Sequence, residues 1–200
     1  MPRQPFVTAE TTKVDEATVV RRHLGRHAKD PGVQALAKDL DKQGFKPLKA
    51  GNKAFFGAEQ TYKSSEGKTA SFSIDIQSYR KAGSKDEAAL GVATFTSGKD
   101  TETYRFTLVA PSGNFDKARE RKVDPRNAVR DAKSWWTAFR DCSKRCGTPC
   151  AAALVSCTGT WTAYLWCLVA TCGGCVLRCV ACASCNCSVW CRWAAGCCRR

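Results

Sequence analysis

The sequence predicts an α+β chain in which N-terminal helices pack on a four-stranded antiparallel meander, followed by a small disulfide-stapled helical module. Apolar residues recur at helical spacing up to Gln43 and at a spacing of two after Phe45. All 14 cysteines lie between Cys142 and Cys198, with none in the 141 residues before them. Cys142, Cys146 and Cys150 are spaced by four, and Cys172, Cys175, Cys179 and Cys182 by three, four and three, the repeat of one helical stripe. The boundaries that follow are an α+β region over 1–114, a basic linker over 115–134 and a cysteine-rich helical module over 135–200.

A first helix is expected over 15–28, with Val20 and Leu24 on one face. Asp30-Pro31 reads as an N-cap and first-turn pair for a second, since proline lacks the amide hydrogen that a helix start leaves unused. Val33, Leu36, Ala37 and Leu40 form its buried stripe, and Gly44 stands where a left-handed cap would end it, near Gln43. Beyond Phe45, Phe72, Ile74 and Ile76 alternate with Ser73, Asp75 and Gln77. Tyr104, Phe106 and Leu108 alternate with Arg105 and Thr107. Both are half-buried strands, with Phe55–Tyr62 and Leu90–Phe95 as their partners and glycine-bearing turns at Gly67, Gly83 and Gly98. Pro111-Ser112-Gly113 closes this region. The next stretch carries Lys117, Arg119, Arg121, Lys122, Arg126, Arg130 and Lys133, and reads either as an exposed, protease-accessible linker or as a solvated helix face.

A module of about 60 residues cannot bury enough apolar surface to offset roughly 1.5 kcal/mol of conformational entropy per ordered residue, so it needs covalent or metal staples. Its cysteines are Cys142, Cys146, Cys150, Cys157, Cys167, Cys172, Cys175, Cys179, Cys182, Cys185, Cys187, Cys191, Cys197 and Cys198. An even count permits closed pairing, although spacing alone does not assign the partners. Glycines at 147, 159, 173, 174 and 196 divide the module into two or three short helices cross-linked along their cysteine faces.

The formal net charge is +14, with 26 basic and 17 acidic residues in the first 140 and 6 against 1 in the last 60. Such a balance suits anionic partners. Between Arg145 and Arg178 no residue carries a formal charge, while Trp161, Tyr164 and Trp166 supply rings. Trp190, Arg192, Trp193, Arg199 and Arg200 repeat the pairing of ring and cation at the C-terminus. These eight are the expected membrane-contacting residues, since tryptophan and arginine suit the interface of an anionic bilayer. Five large rings in so small a module also predict that some stay exposed.

The module begins Asp141-Cys-Ser-Lys-Arg-Cys-Gly-Thr-Pro-Cys and ends in paired cysteines behind a globular region. This arrangement resembles halocin-type bacteriocin precursors. The resemblance implies a C-terminal cysteine-rich peptide released as the toxin and an N-terminal part that serves as leader and immunity region. The expected function is therefore the precursor of a secreted, cationic, disulfide-stapled antimicrobial peptide acting on target bacterial membranes. Its expected partners are an anionic membrane or envelope, a processing protease, and the N-terminal region as a cover before release. Oxidised cysteines favour secretion after processing. Met1–Val20 shows no signal peptide, and the Arg21-Arg22 pair lacks the apolar run that a twin-arginine signal needs, which leaves the export route open.

The alternative is a cysteine-rich zinc- or other metal-binding protein, because Cys172/Cys175, Cys179/Cys182 and Cys182/Cys185 are Cys-x-x-Cys pairs. Against it, zinc sites usually separate their pairs further, the tail has no histidine, and an iron–sulfur run would need cysteine at Val189. No cofactor and no metal are expected. No thioredoxin-like strand precedes Cys172, and phosphate-loop and nucleophile-elbow patterns are absent, so no enzyme activity is expected. His23 and His27 lie one helical turn apart without the intervening glutamate of a zinc hydrolase, and read as a solvated or packing pair. Nucleic-acid binding is not expected, since rings such as Tyr104 alternate with the strand and belong in the core.

Overall fold

A computed structural model gives the fold and describes residues 7–51, 53–63, 67, 69–124, 126–132 and 135–184. Its strands are β1 (Val7–Lys13), β2 (Phe45–Pro47), β3 (Phe55–Lys63), β4 (Thr69–Lys81), β5 (Glu87–Ser97), β6 (Asp100–Ala110), β7 (Arg119–Val123) and β8 (Val129–Ala132). Its helices are α1 (Glu16–Leu24), α2 (Pro31–Lys42), α3 (Trp135–Lys144), α4 (Thr148–Ser156), α5 (Trp161–Cys172) and α6 (Gly174–Ser184). The strands form one antiparallel sheet in the order β1-β3-β4-β5-β6-β7-β8, with β2 on the end of β4. The meander expected from the alternating sequence is β3 to β6. Every one of its hairpins pairs in continuous register, from Phe55↔Gln77 to Ser97↔Asp100.

The sheet is wider than expected because 115–134 is not a free linker. After a short turn of helix at Phe115–Lys117, β7 pairs with β6 and β8 with β7. Among the described residues two of its cations are paired, while Lys117, Arg119 and Arg126 stay exposed. Arg121 Nη1 lies 2.5 Å from Asp39 on α2, and Arg130 Nε lies 2.8 Å from Asp124. Charge along the run thus obscured the strands, because the carboxylate that receives Arg121 sits elsewhere in the sequence.

Period-two alternation sends side chains to opposite faces, and both faces are covered. Phe56, Phe72, Ile74, Ile76, Phe106 and Leu108 point to one side, where they share a core with α3 to α6. On the other side Tyr79, Ala88, Leu90 and Val92 meet Val33, Leu36 and Leu40 of α2, and Phe55 meets Val19 of α1. The N-terminal helices thus lie on the face of Asp75, not on the face of Ile74 and Ile76. Two glycines permit close approach: a Cβ on Gly57 would stand 2.4 Å from Val19 Cγ2, and one on Gly91 2.4 Å from the Phe106 ring.

Asp30 caps α2 by accepting from the Gly32 and Val33 amides at 2.9 and 3.1 Å, and it receives Arg105 in a two-pronged pair at 2.7 and 2.6 Å. Burial alone would raise its pKa, but Arg105 and the amide donors hold the carboxyl below the usual range. The expected helix start is confirmed here, and α2 ends at Lys42 with Gly44 in the left-handed region.

Of the two readings of the histidine pair, solvated or packing, packing is the one found, with both rings buried. His27 Nε2 donates to Asp75 Oδ2 across 2.8 Å, and Asp75 also meets Arg22 at 3.4 Å. His23 packs edge-on against His27 and Phe55, and its Nε2 has no partner among the described residues. Burial, reinforced by the neighbouring His27, lowers the His23 pKa to about 4 from an ordinary 6.5. The unfolded chain therefore binds the proton more readily. Stability is full above pH 6.5 and falls as pH drops towards 4, by up to about 3 kcal/mol. His23→Phe is expected to flatten that part of the stability–pH curve, as urea unfolding between pH 4 and 7 would show.

Candidate functional site

The helices after β8 are joined by a ladder of disulfides. Cys142 pairs with Cys179, Cys146 with Cys175, Cys150 with Cys172, and Cys157 with Cys167. Over the first three rungs, each step of four residues from Cys142 to Cys150 is met by a step back of four and then three from Cys179 to Cys172. Helical stripes at those intervals face each other when the helices run antiparallel, so the spacing visible in the sequence is the spacing of the rungs. Cys182 is disulfide-bonded as well, so all nine described cysteines are oxidised. Cys185, Cys187, Cys191, Cys197 and Cys198 lie outside the described residues.

The Sγ atoms of Cys146, Cys175 and Cys179 cluster within 4.8 Å of one another. Each is already bonded to another sulfur, and a disulfide sulfur is not the thiolate that binds zinc. The outer rung closes a 37-residue span, which alone would stabilise by about 4 kcal/mol, but with the 29-residue rung inside it closed, few new residues are constrained. Cys142→Ala/Cys179→Ala is therefore expected to cost only about 2 kcal/mol in guanidinium unfolding.

The stapled helices lie on the apolar face of the sheet and are positioned by polar contacts at its surface. At the start of α5 the Thr162 amide donates to Ser78 Oγ at 3.1 Å, and the two hydroxyls meet at 2.9 Å. Thr162 also donates to the Lys53 carbonyl. Trp161 Nε1 donates to the Glu87 carbonyl and Trp166 Nε1 to the Phe55 carbonyl, both at 3.2 Å. Around them Phe115 stacks on Tyr164 at 4.2 Å, and Trp161 meets the rings of Phe115 and Trp136 edge-on at 4.7 and 4.9 Å.

A buried carboxylate fixes the entry to the helices. Glu120 on β7 accepts from the amides of Trp135 and Trp136 at 2.7 and 2.9 Å, and from the Tyr104 hydroxyl at 2.6 Å. It satisfies the free amides of the α3 N-terminus and meets the positive end of the helix. Trp135 then stacks on Phe106 at 4.6 Å, and its Nε1 reaches Ser184 Oγ at 2.8 Å, tying the first stapled helix to the last.

Comparison with family models, with curated proteins and with solved structures finds no match. The site is therefore read from its own residues. Of the eight expected membrane-contacting residues, Trp161 is fully buried at the sheet, Tyr164 is fully buried among Phe115, Trp136 and α4, and Trp166 is half-buried. Trp190, Arg192, Trp193, Arg199 and Arg200 lie outside the described residues. For Trp161 the sheet supplies a wall that the module's own interior does not offer.

Glu120, Ser78 and Thr162, which seat the helices, were not singled out from the sequence. An isolated acid in a basic run and hydroxyls among polar alternates carry no mark of burial. The one available signal for Glu120 was its even position, in phase with Phe106 and Leu108 once β7 is recognised as a strand.

Proposed function

We propose that the chain is the precursor of a secreted, cationic, disulfide-stapled antimicrobial peptide. Its C-terminal helices are held by the sheet until a protease releases them to act on target bacterial membranes. One observation carries this reading: the helices are bonded covalently to each other, while their attachment to the rest of the fold beyond the chain itself is by packing, hydrogen bonds and the Arg140–Asp116 ion pair, none of them covalent. Cysteine-free residues 1–141 can contribute no bridge to the staple. A single cut between β8 and α3 therefore leaves a stapled fragment with no covalent tie to its cover. Because β7 and β8 are paired into the sheet, the cut proposed is in the sequence between β8 and α3, where Lys133 stands.

Charge and apolarity support the same reading. Helix α5 has no charged side chain, and Trp161, Tyr164, Leu165 and Leu168 bury one broad face in the core shared with the sheet. Separation exposes that face, and an anionic bilayer offers it an apolar partner and offers arginines such as Arg178 a phosphate surface. None of the described helices is long and apolar enough to cross a membrane, so the mode proposed is insertion at the interface. The arrangement also agrees with the likeness to halocin-type precursors in the order of cover and peptide.

A chain carrying a specific protease site in place of residues 133–134 tests the proposal through dye release from phosphatidylglycerol vesicles. The uncut oxidised chain is expected to release little, the cut oxidised chain to release dye at least tenfold faster, and the cut reduced chain to be weak. Equal activity before and after cutting, or none in either state, would overturn it.

A further inference from the structure

On the face of the sheet opposite the stapled helices, α2 covers one end and α1 one side. Beside α1 an open groove of about 720 Å³ runs over β3, β4 and β5. We propose that this groove binds a phosphorylated polyol, with its arginines holding the phosphate and its strand hydroxyls reading the polyol.

The wall is cationic. Arg21, Arg22 and Arg26 line it, and Glu59, the one carboxylate among its lining residues, is already bridged by Arg22. Arg22 is further held by the buried Asp75, which fixes its guanidinium beneath the groove. Arg21 and Arg26 are exposed and form no ion pair among the described residues. Both carboxylates, Glu59 and Asp75, are engaged by Arg22, which leaves Arg21 and Arg26 for an anion, and the planar fork of arginine matches two phosphate oxygens at once.

The floor is made of hydroxyls. Thr61, Ser71, Ser73, Thr94 and Thr96 come from three adjacent strands and point to the same side, because antiparallel register sets Ser73 beside Thr94 and Glu59, and Ser71 beside Thr96 and Thr61. Each hydroxyl both donates and accepts, as the hydroxyls of a polyol require. A nucleic acid is the poorer match: Phe72 is the only ring among the lining residues and is buried, so no base finds a stacking surface.

Titration calorimetry on the uncut oxidised chain tests this with glycerol 3-phosphate and inorganic phosphate as probes. Glycerol 3-phosphate is expected to bind at least tenfold more tightly than phosphate. Arg21→Gln/Arg26→Gln should weaken it at least tenfold at unchanged melting temperature, since both side chains are exposed. Ser73→Ala/Thr94→Val should bring glycerol 3-phosphate down to the level of phosphate.

Co-sedimentation with phosphatidylglycerol vesicles separates the two sources of this chemistry. Binding lost in the arginine variant assigns a lipid head group, while binding of the soluble ester alone assigns a free metabolite. Equal affinity for the two soluble probes, no effect of the arginine variant, or binding of a single-stranded oligonucleotide in place of glycerol 3-phosphate would each overturn the proposal. The outcome is independent of peptide release, because the groove lies on the other face and the chain is left uncut.

Discussion

Glu120→Ala is expected to lower the unfolding free energy of the intact chain by about 4 kcal/mol. The change leaves the two buried amides of Trp135 and Trp136 without their acceptor and removes one contact of the half-buried Tyr104 phenol. An unsatisfied buried donor costs about 1–3 kcal/mol, more when its partner was charged. The carboxylate itself is only 3 % exposed, so water does not readily replace it. Glu120→Gln keeps an acceptor and the volume but loses the charge that faces the helix start, so it is expected to cost about half as much. Urea unfolding followed by tryptophan fluorescence would measure both. Because Trp135 and Trp136 sit directly on the broken contacts, their emission should also shift in the folded variant.

Complete reduction of the disulfides is expected to unfold the stapled helices and to loosen the sheet with them. Counted one rung inside another, the four described bridges restrict the unfolded chain by an amount on the order of 8–10 kcal/mol in the chain-entropy account, an upper bound comparable to the whole stability of a domain. The sheet does not escape, because Phe56, Ile74, Ile76 and Phe106 form one core with Trp135, Trp161 and Leu168. Far-ultraviolet circular dichroism should lose helix and strand signal together on reduction at neutral pH. Loss of helix with an intact sheet spectrum would contradict the shared core.

Much of the first region was legible because its signals are local. The Asp30-Pro31 start, the stripe from Val33 to Leu40 and the alternation at Phe72–Ile76 and Tyr104–Leu108 each depend on neighbours a few residues away. The helical character of 135–184 was legible in the cysteine repeat, and the antiparallel rungs obey that repeat. Which face met which helices was not legible, because period two marks two faces without saying what covers either. The burial of Asp75 and the packing of His27 were hidden for the same reason: each satisfies its burial through a partner 48 residues away. The strands at 119–132 were hidden by their charge, since Arg121 finds Asp39 82 positions earlier in the chain. The rings of α5 were legible as an apolar face, but the wall they rest on belongs to another part of the sequence.

Whether a stapled fragment parts from a cysteine-free cover is decided by the mass of the natural mature product. A fragment is expected that begins between β8 and α3, takes up no alkylating label as isolated and takes up 14 labels after reduction, one for each cysteine. A product that still carries residues 1–132, or thiols that react before reduction, would contradict it.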